Sequence, residues 1–385
     1  MSDKPGSGAS GPTDLQDILR APGFCRHSTG HTAVVEWDAD TGWSAPAVGP
    51  YATLPLDPAT LGLHYGQAVF EGLKAFRGED GSVSLFRPDD HGRRLARSAE
   101  RLAMAEMPAD LFTRACAQLV AAAEEWVPGG YGQSLYIRPL LLATEADLGL
   151  RPSRRYRCVF LAYPADPCFG SGFRPLAVTT ATETVRAVRG GTGESKCAGN
   201  YAASLLTRTR AQAAGYDEVL WLDGLDRRRV EELSTMNVFF VWRDGDGSRL
   251  TTPPCEGTIV RGLTRDSLLT LAGDLGLPAV QEPTAIDDVV DGVRSGRLAE
   301  MFACGTAGVV VAVGRIGAGG EDLTVGDGRE GPVTRRLRTA LLDVQHGRTP
   351  DKHGWLLRVG ATGAAHAHVI PTDAPHTDEG GGRNA

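Results

Sequence analysis

GGTGESKCAGNY, residues 190–201, places a lysine inside a glycine-rich loop that leads into a helix. Glycines let a backbone pass close to a flat ligand. A lysine amine that loses its proton attacks carbonyls and forms Schiff bases. In isolation such a lysine is more often a solvated charge. Outward from the loop, Asn200 offers a cap for a helix running to about Ala214, and Gly215 is placed to stop it. Leu176–Thr180 before the loop and Glu218–Asp223 after it read as strands. Strand, loop, helix and strand in that order predict an α/β or α+β fold with a mixed sheet.

The same alternation continues in both directions. Towards the N-terminus, strands are expected at Ala33–Trp37, Ser82–Phe86, Gln133–Leu142 and Arg157–Tyr163. Helices are expected at about Asp89–Met104 and at Leu111–Trp126, where Leu111, Ala115, Leu119 and Ala122 share one face. PADPCFGSGFRP, residues 164–175, carries the Pro and Gly density of a domain boundary. Beyond the loop, Asn237–Arg243, Glu300–Cys304 and Gly308–Val313 read as strands, and Arg265–Leu275 and Ala285–Arg294 as helices. The expected organisation is a tail over 1–20, a small domain over 21–168, a linker over 169–175, a large domain over 176–360 and a second tail over 361–385. Both tails have the composition of disorder. His366 and His368 in the second read as solvated residues rather than a metal site.

Bulk properties narrow the function. A chain of 385 residues exceeds one comfortable core. A formal charge of −7 speaks against nucleic acid or an anionic membrane as partner. No apolar run approaches the ~18 residues of a spanning helix, and the start MSDKPGSGAS lacks the apolar stretch of a signal peptide. The seven cysteines are scattered without metal-knuckle spacing. They read as reduced thiols of a cytoplasmic protein, most of them in the core.

Four more motifs carry chemistry. EELSTMN, residues 231–237, offers a carboxylate that can hold a proton on a pyridine-type nitrogen. GTIVRGLTRDSLL, residues 257–269, opens a helix at a tight turn, a seat for phosphate at Leu263 and Thr264. FACGTA, residues 302–307, is a small-residue turn whose N–H groups suit an anion. Arg94, in FRPDDHGRRL, is a fork for phosphate oxygens. Alone, these pieces are more readily ordinary structure, EELSTMN a polar turn and Arg94 a solvated charge; together they make a complete pyridoxal phosphate site.

With these stretches in hand, the chain resembles the branched-chain amino acid aminotransferases, within the fold-type IV pyridoxal phosphate enzymes. The resemblance runs from about 22 to 359 and includes LHYGQAVFEGLKAFRG (63–78), LYIRPLLLATEADLG (135–149), GLTRDSLL (262–269) and DVQHGRTPDKHGW (343–355). It implies two domains with the cofactor at their interface. Lys196 is then the imine lysine and proton shuttle, Tyr201 the partner of the cofactor's phenolic oxygen and Glu232 the partner of the ring nitrogen. Arg94, Leu263, Thr264 and Thr306 form the phosphate set, and Thr235 lies beside the cofactor. Thr306 and Ala307 receive the substrate carboxylate with Tyr136 nearby, and Arg138 accommodates the glutamate side chain. Tyr65 and Phe70 wall the side-chain pocket. Leu148 and Leu150 reach into a neighbouring subunit's site, which implies a homodimer.

The implied activity is ping-pong transamination of branched-chain L-amino acids with 2-oxoglutarate. One departure stands out in Ser28-Thr29-Gly30-His31-Thr32, where the family has a phenylalanine-threonine-aspartate-histidine-methionine run. Ser28 stands in place of a pocket-wall aromatic, or Phe24 fills that gap. A lost ring would redirect substrate preference towards a modified or aromatic amino acid. The redox dithiol of vertebrate members is absent from Gly308–Val311. D-amino acid aminotransferases and the aminobenzoate lyase of the same fold group are shorter chains without the 343–355 stretch.

Overall fold

The computed structural model describes residues 14–167, 174–245 and 247–360. Two nine-stranded sheets organise them. The first runs Leu356–Arg358, Val83–Phe86, Leu73–Arg77, Ser134–Ala143, Arg155–Ala165, His31–Asp38, Gly42–Trp43, with Ala47–Pro50 paired to the 31–38 strand and Ala68–Phe70 to the 134–143 strand. Every pairing in it is antiparallel. The second runs Val230–Leu233, Glu218–Leu222, Leu176–Thr180, Val309–Ala318, Leu298–Gly305, Asn237–Asp244, Gly247–Thr252, Ala279–Gln281, with Glu321–Thr324 on the 309–318 strand. It is mixed, with 176–180 parallel to both of its neighbours.

Helices cover the sheets where their apolar stripes dictate. Pro88–Arg101 and Ala109–Ala122 lay Leu95, Ala99, Leu111, Phe112, Ala115 and Leu119 onto the first sheet. Ile286–Arg294 covers one face of the second sheet through Val289. Leu263–Asp274 and Pro332–Gln345 cover the other, in a cluster where Phe239 and Phe302 stack at 5.0 Å. That cluster also takes in Phe76 and Phe86 of the first sheet. The two halves therefore share apolar core, and burying such rings contributes roughly 1.5–3 kcal/mol each.

Several expectations need correction. Residues 14–20 are ordered: Asp14 caps a helix, Leu15–Arg20, by accepting the Gln16 N–H at 3.2 Å. Asn200 is not the cap of the helix after the lysine loop. That helix is Ala198–Ala213, and Asn200 lies inside it with its side chain turned back on the loop. The 111–126 stretch breaks after Ala122 into a short 3-10 turn, Glu124–Trp126. Glu231 and Glu232 lie in the edge strand Val230–Leu233. The last strand, Leu356–Arg358, pairs with Val83–Phe86, so the first sheet is not built from residues 21–168 alone. Most of the expected linker, residues 1–13, the second tail with His366 and His368, and Cys168 lie outside the described residues. Of the described cysteines all six are free; Cys116, Cys158, Cys197 and Cys304 are buried, while Cys25 and Cys255 are half-buried.

Charge is buried at the seam between the sheets. Glu71, fully buried, accepts Arg94 Nε at 2.6 Å and Nη2 at 2.8 Å, and pairs with His91 Nδ1 at 2.7 Å. Arg94 Nη1 reaches across to the Arg261 carbonyl at 3.1 Å. Burial alone would raise the Glu71 pKa, but Arg94 and then His91 hold it well below the usual carboxylate range. Its stabilisation is therefore present above the ordinary carboxylate pKa and is lost as pH falls below it. Glu71→Gln leaves Arg94 uncompensated, so we expect a loss of about 3–5 kcal/mol in urea unfolding at neutral pH. That deficit shrinks in acid; one that stays constant down to the acid transition refutes the assignment.

Candidate active site

Lys196 sits where the two sheets meet, and its own peptide is held from the first half of the molecule. Its N–H donates to Ser98 Oγ at 2.9 Å, and its carbonyl accepts the Phe70 N–H at 3.0 Å. Asn200 tightens the loop by donating to the carbonyls of Thr192 (2.7 Å) and Ser195 (2.8 Å). Gly193 is obligatory there, because a Cβ would lie 2.7 Å from the Thr258 carbonyl. Lys196 Nζ donates to the Tyr201 hydroxyl at 2.8 Å and lies 4.6 Å from the centre of the Phe70 ring. Phe70 and Tyr201 pack against each other at 4.8 Å.

Glu232 is buried on the edge strand. One oxygen meets Arg186 Nη2 at 2.8 Å and accepts the Val260 N–H at 3.3 Å; the other accepts Asn237 Nδ2 at 2.9 Å. Burial outweighs the pull of Arg186, and its pKa is pushed up to about 7. Lys196 is close enough for its charge to act on the same carboxyl. Arg186 also donates to the carbonyls of Gly193 and Thr258, while its buried Nε has no partner among the described residues.

The anion turns are in place. Helix Leu263–Asp274 begins after Gly262 with no side-chain cap, which leaves its first N–H groups for a ligand. Gly262 is required because a Cβ would collide with Asn237 Oδ1 at 1.9 Å. Leu263, Thr264, Gly305 and Thr306 line one small cavity together with His91 and Lys74. Among the described residues, the N–H groups of Thr306 and Ala307 have no acceptor. Arg94 faces this region only through Nη1, since Glu71 occupies its other corner.

Tyr136 and Arg138 stand on the first sheet, with the Tyr136 hydroxyl accepting Arg138 Nη2 at 2.7 Å. Arg138 lies over the rings of Phe70 at 4.9 Å and Tyr136 at 5.3 Å. Gly72 makes room for Tyr136, whose hydroxyl would be 2.3 Å from a Cβ there. The ring against Tyr136 is Phe24, at 5.2 Å. Ser28 instead accepts the Gly30 N–H at 3.2 Å, a local turn contact. Tyr65 and Thr235 are exposed, as are Leu148 and Leu150. Tyr65 donates its hydroxyl to the Leu148 carbonyl at 2.5 Å.

Arg186, Asn237, Glu71, Ser98 and Lys74 escaped the sequence reading. Glu71 and Lys74 had a signal, being the charges in the apolar run AVFEGLKAF. Arg186, in an irregular stretch, had none.

These residues fit pyridoxal phosphate: a hydroxyl-paired amine for an aldehyde, a buried carboxyl for a ring nitrogen and an uncapped helix start for a phosphate. The arrangement suits an enzyme that holds an aldehyde cofactor on a lysine. The family described as Amino-transferase class IV matches residues 68–316, and the chain belongs to that family. It is 46% identical over 354 residues to a probable branched-chain-amino-acid aminotransferase of Streptomyces coelicolor, covering 92% of this chain and 97% of that one. With the branched-chain-amino-acid aminotransferase of Mycolicibacterium smegmatis it shares 44% identity, over 89% and 94% of the two chains. Among solved structures it resembles the branched-chain amino acid aminotransferase of Escherichia coli (TM-score 0.69, 26% identity, 85% of this chain and 99% of that one). It also resembles the branched-chain amino acid aminotransferase of Thermobaculum terrenum in its PLP-form (TM-score 0.70, 25% identity, 87% and 100%).

The raised Glu232 pKa has a sign that can be measured. Between the ordinary carboxylate range and about pH 7, the folded cofactor-free chain keeps a proton that the unfolded chain has lost. Stability therefore falls as pH rises through that window. Thermal melts of the apoprotein from about pH 5 to about pH 8 are expected to show that fall, with one proton's worth of slope removed in Glu232→Gln. Equal slopes in the two proteins overturn this reading of Glu232.

Proposed function

We propose that the chain transaminates branched-chain L-amino acids with 2-oxoglutarate, using pyridoxal phosphate held at Lys196. The observation that carries this is the Lys196 amine, 2.8 Å from the Tyr201 hydroxyl and within electrostatic reach of buried Glu232. Relatives named branched-chain-amino-acid aminotransferases, matching nearly end to end, support the substrate class.

When bound, the cofactor supplies an aldehyde for the amino group and a ring that withdraws electrons from Cα. Tyr201 orients the Lys196 amine. Once free, Lys196 Nζ takes the proton from the substrate Cα and returns it during the exchange of amino and oxo groups. Glu232, held by Arg186, Asn237 and the Val260 N–H, keeps a proton on the ring nitrogen. Leu263, Thr264 and Thr306, with Arg94 behind them, hold the phosphate. Thr306, Ala307 and Tyr136 receive the substrate carboxylate, and Arg138 the distal carboxylate of glutamate. Phe70 and Tyr65 wall the side-chain pocket, and Thr235 lies beside the cofactor.

Phe24, rather than Ser28, supplies the remaining ring in this reading, because it is the ring packed on Tyr136. The reading includes a homodimer, in which exposed Leu148 and Leu150 complete the neighbour's pocket. It also includes a cytoplasmic location, in keeping with thiols left free.

Borohydride reduction of the loaded enzyme is expected to fix the cofactor mass on the Lys196 peptide, and Lys196→Ala to abolish the label. A label on another lysine sinks the assignment. L-valine, L-leucine and L-isoleucine are each expected to bleach the cofactor absorbance in single half-reactions, and failure of all three rules out the substrate class. Phe24→Ala is expected to cost about 1–3 kcal/mol in kcat/KM for L-leucine, with Ser28→Ala near neutral. The reverse order restores Ser28 as the wall.

A further inference from the structure

Lys74 is the buried cation of the seam that the proposed reaction leaves unused. It comes from strand Leu73–Arg77, in register with Tyr136 on the neighbouring strand, so the two side chains leave the same face of the sheet. It is 2% exposed. Its Nζ donates to the carbonyl oxygen of Ala307 at 3.2 Å. Ala307 belongs to the second sheet, in the turn that joins Leu298–Gly305 to Val309–Ala318 and is closed by the Gly305–Val309 pair. This is the turn whose Thr306 and Ala307 N–H groups have no acceptor among the described residues.

Burying an ammonium is costly unless it is paired or hydrogen-bonded. A methionine would fill the same volume more cheaply. Here the ammonium crosses from one sheet to the other and grips the turn between two strands of the second. Its charge is felt at Cys25, beside Arg138, and it borders the cavity shared by Thr264 and Thr306. Positive charge and fixed turn donors are thus set together next to Tyr136.

We infer that Lys74 is a positioning residue for the acid end of the substrate, pinning the Gly305–Gly308 turn to the first sheet so that the turn can receive a carboxylate. This rests on the proposed function, in which Thr306 and Ala307 meet the carboxylate of both the amino acid and the 2-oxo acid. A second consequence follows from the register: Lys74 and Tyr136 act on that carboxylate from one rigid pair of strands.

The test compares Lys74→Met, which keeps length and volume but removes donor and charge, with Lys74→Arg, which keeps both. The readouts are KM and kcat for L-leucine and 2-oxoglutarate, cofactor content, and inhibition by 4-methylvalerate, a carboxylate with no amino group to react. Lys74→Met is expected to raise both KM values and the inhibition constant about tenfold or more, the loss typical of a charge-assisted hydrogen bond. Cofactor content and kcat are expected to stay within about twofold, and Lys74→Arg to recover most of the loss. Unchanged KM and inhibition constants overturn the proposal, as does a fall in cofactor content or kcat with KM intact. If Lys74→Met yields no folded protein, Lys74→Gln takes its place with the same expected and overturning outcomes. Borohydride labelling of Lys196 in the unmodified enzyme does not depend on Lys74. Its failure counts against the transaminase reading, whereas intact labelling with unmoved KM counts against Lys74 alone.

Discussion

The peptide of Lys196 is clamped on both sides by the other half of the molecule, through Ser98 Oγ on its N–H and the Phe70 N–H on its carbonyl. The rest of the site inherits its precision from that clamp. A lysine has four rotatable carbons, and an amine at the end of them is useful only if its root does not wander. The clamp fixes the root and Tyr201 fixes the tip. The Val69–Cys197 bridge extends the contact on the next residues, so the lysine loop behaves as an outlying strand of the first sheet. A reactive group encoded in one half is thereby held by the other, and the cleft between them cannot open without releasing it.

The same logic explains why so much charge is buried there. Glu71 with Arg94 and Glu232 with Arg186 are both taken out of water, and neither pair is a cheap source of stability. What they supply is geometry. Glu71 holds two corners of Arg94 and leaves the third directed at the Arg261 carbonyl, just before the uncapped helix start. Arg186 and Asn237 hold Glu232 from opposite oxygens. Each carboxyl group lies in a bed of donors that prevents its rotation.

Much of this was legible in the residues. Lys196, Tyr201, Glu232, Thr264 and Thr306 lie in short motifs where glycine, hydroxyl and charge fall together, and such motifs announce themselves. The supporting residues show at most as stray charges in an apolar run, because their partners are distant in sequence: Glu71 meets Arg94 across 23 residues and Lys74 meets Ala307 across 233. The same divide runs through the fold. Helices with an apolar period, such as Ala109–Ala122, were readable, whereas Pro332–Gln345 was not. Its first turn is satisfied by Glu300 of a strand, which accepts the N–H groups of Val333 and Thr334, rather than by a local cap. The short strands Ala68–Phe70 and Leu356–Arg358 carry too few residues for an alternation to show.

The return of Leu356–Arg358 to the first sheet bears on how the chain comes to be made. The strand it joins, Val83–Phe86, is synthesised some 270 residues earlier. Until the ribosome has released the last strand, the first half of the protein waits with an open edge, the kind of surface other chains join. Trp355, packed on Phe86 and under Arg87, arrives with it. Completion of the N-terminal half is thus a late event in the life of the nascent chain.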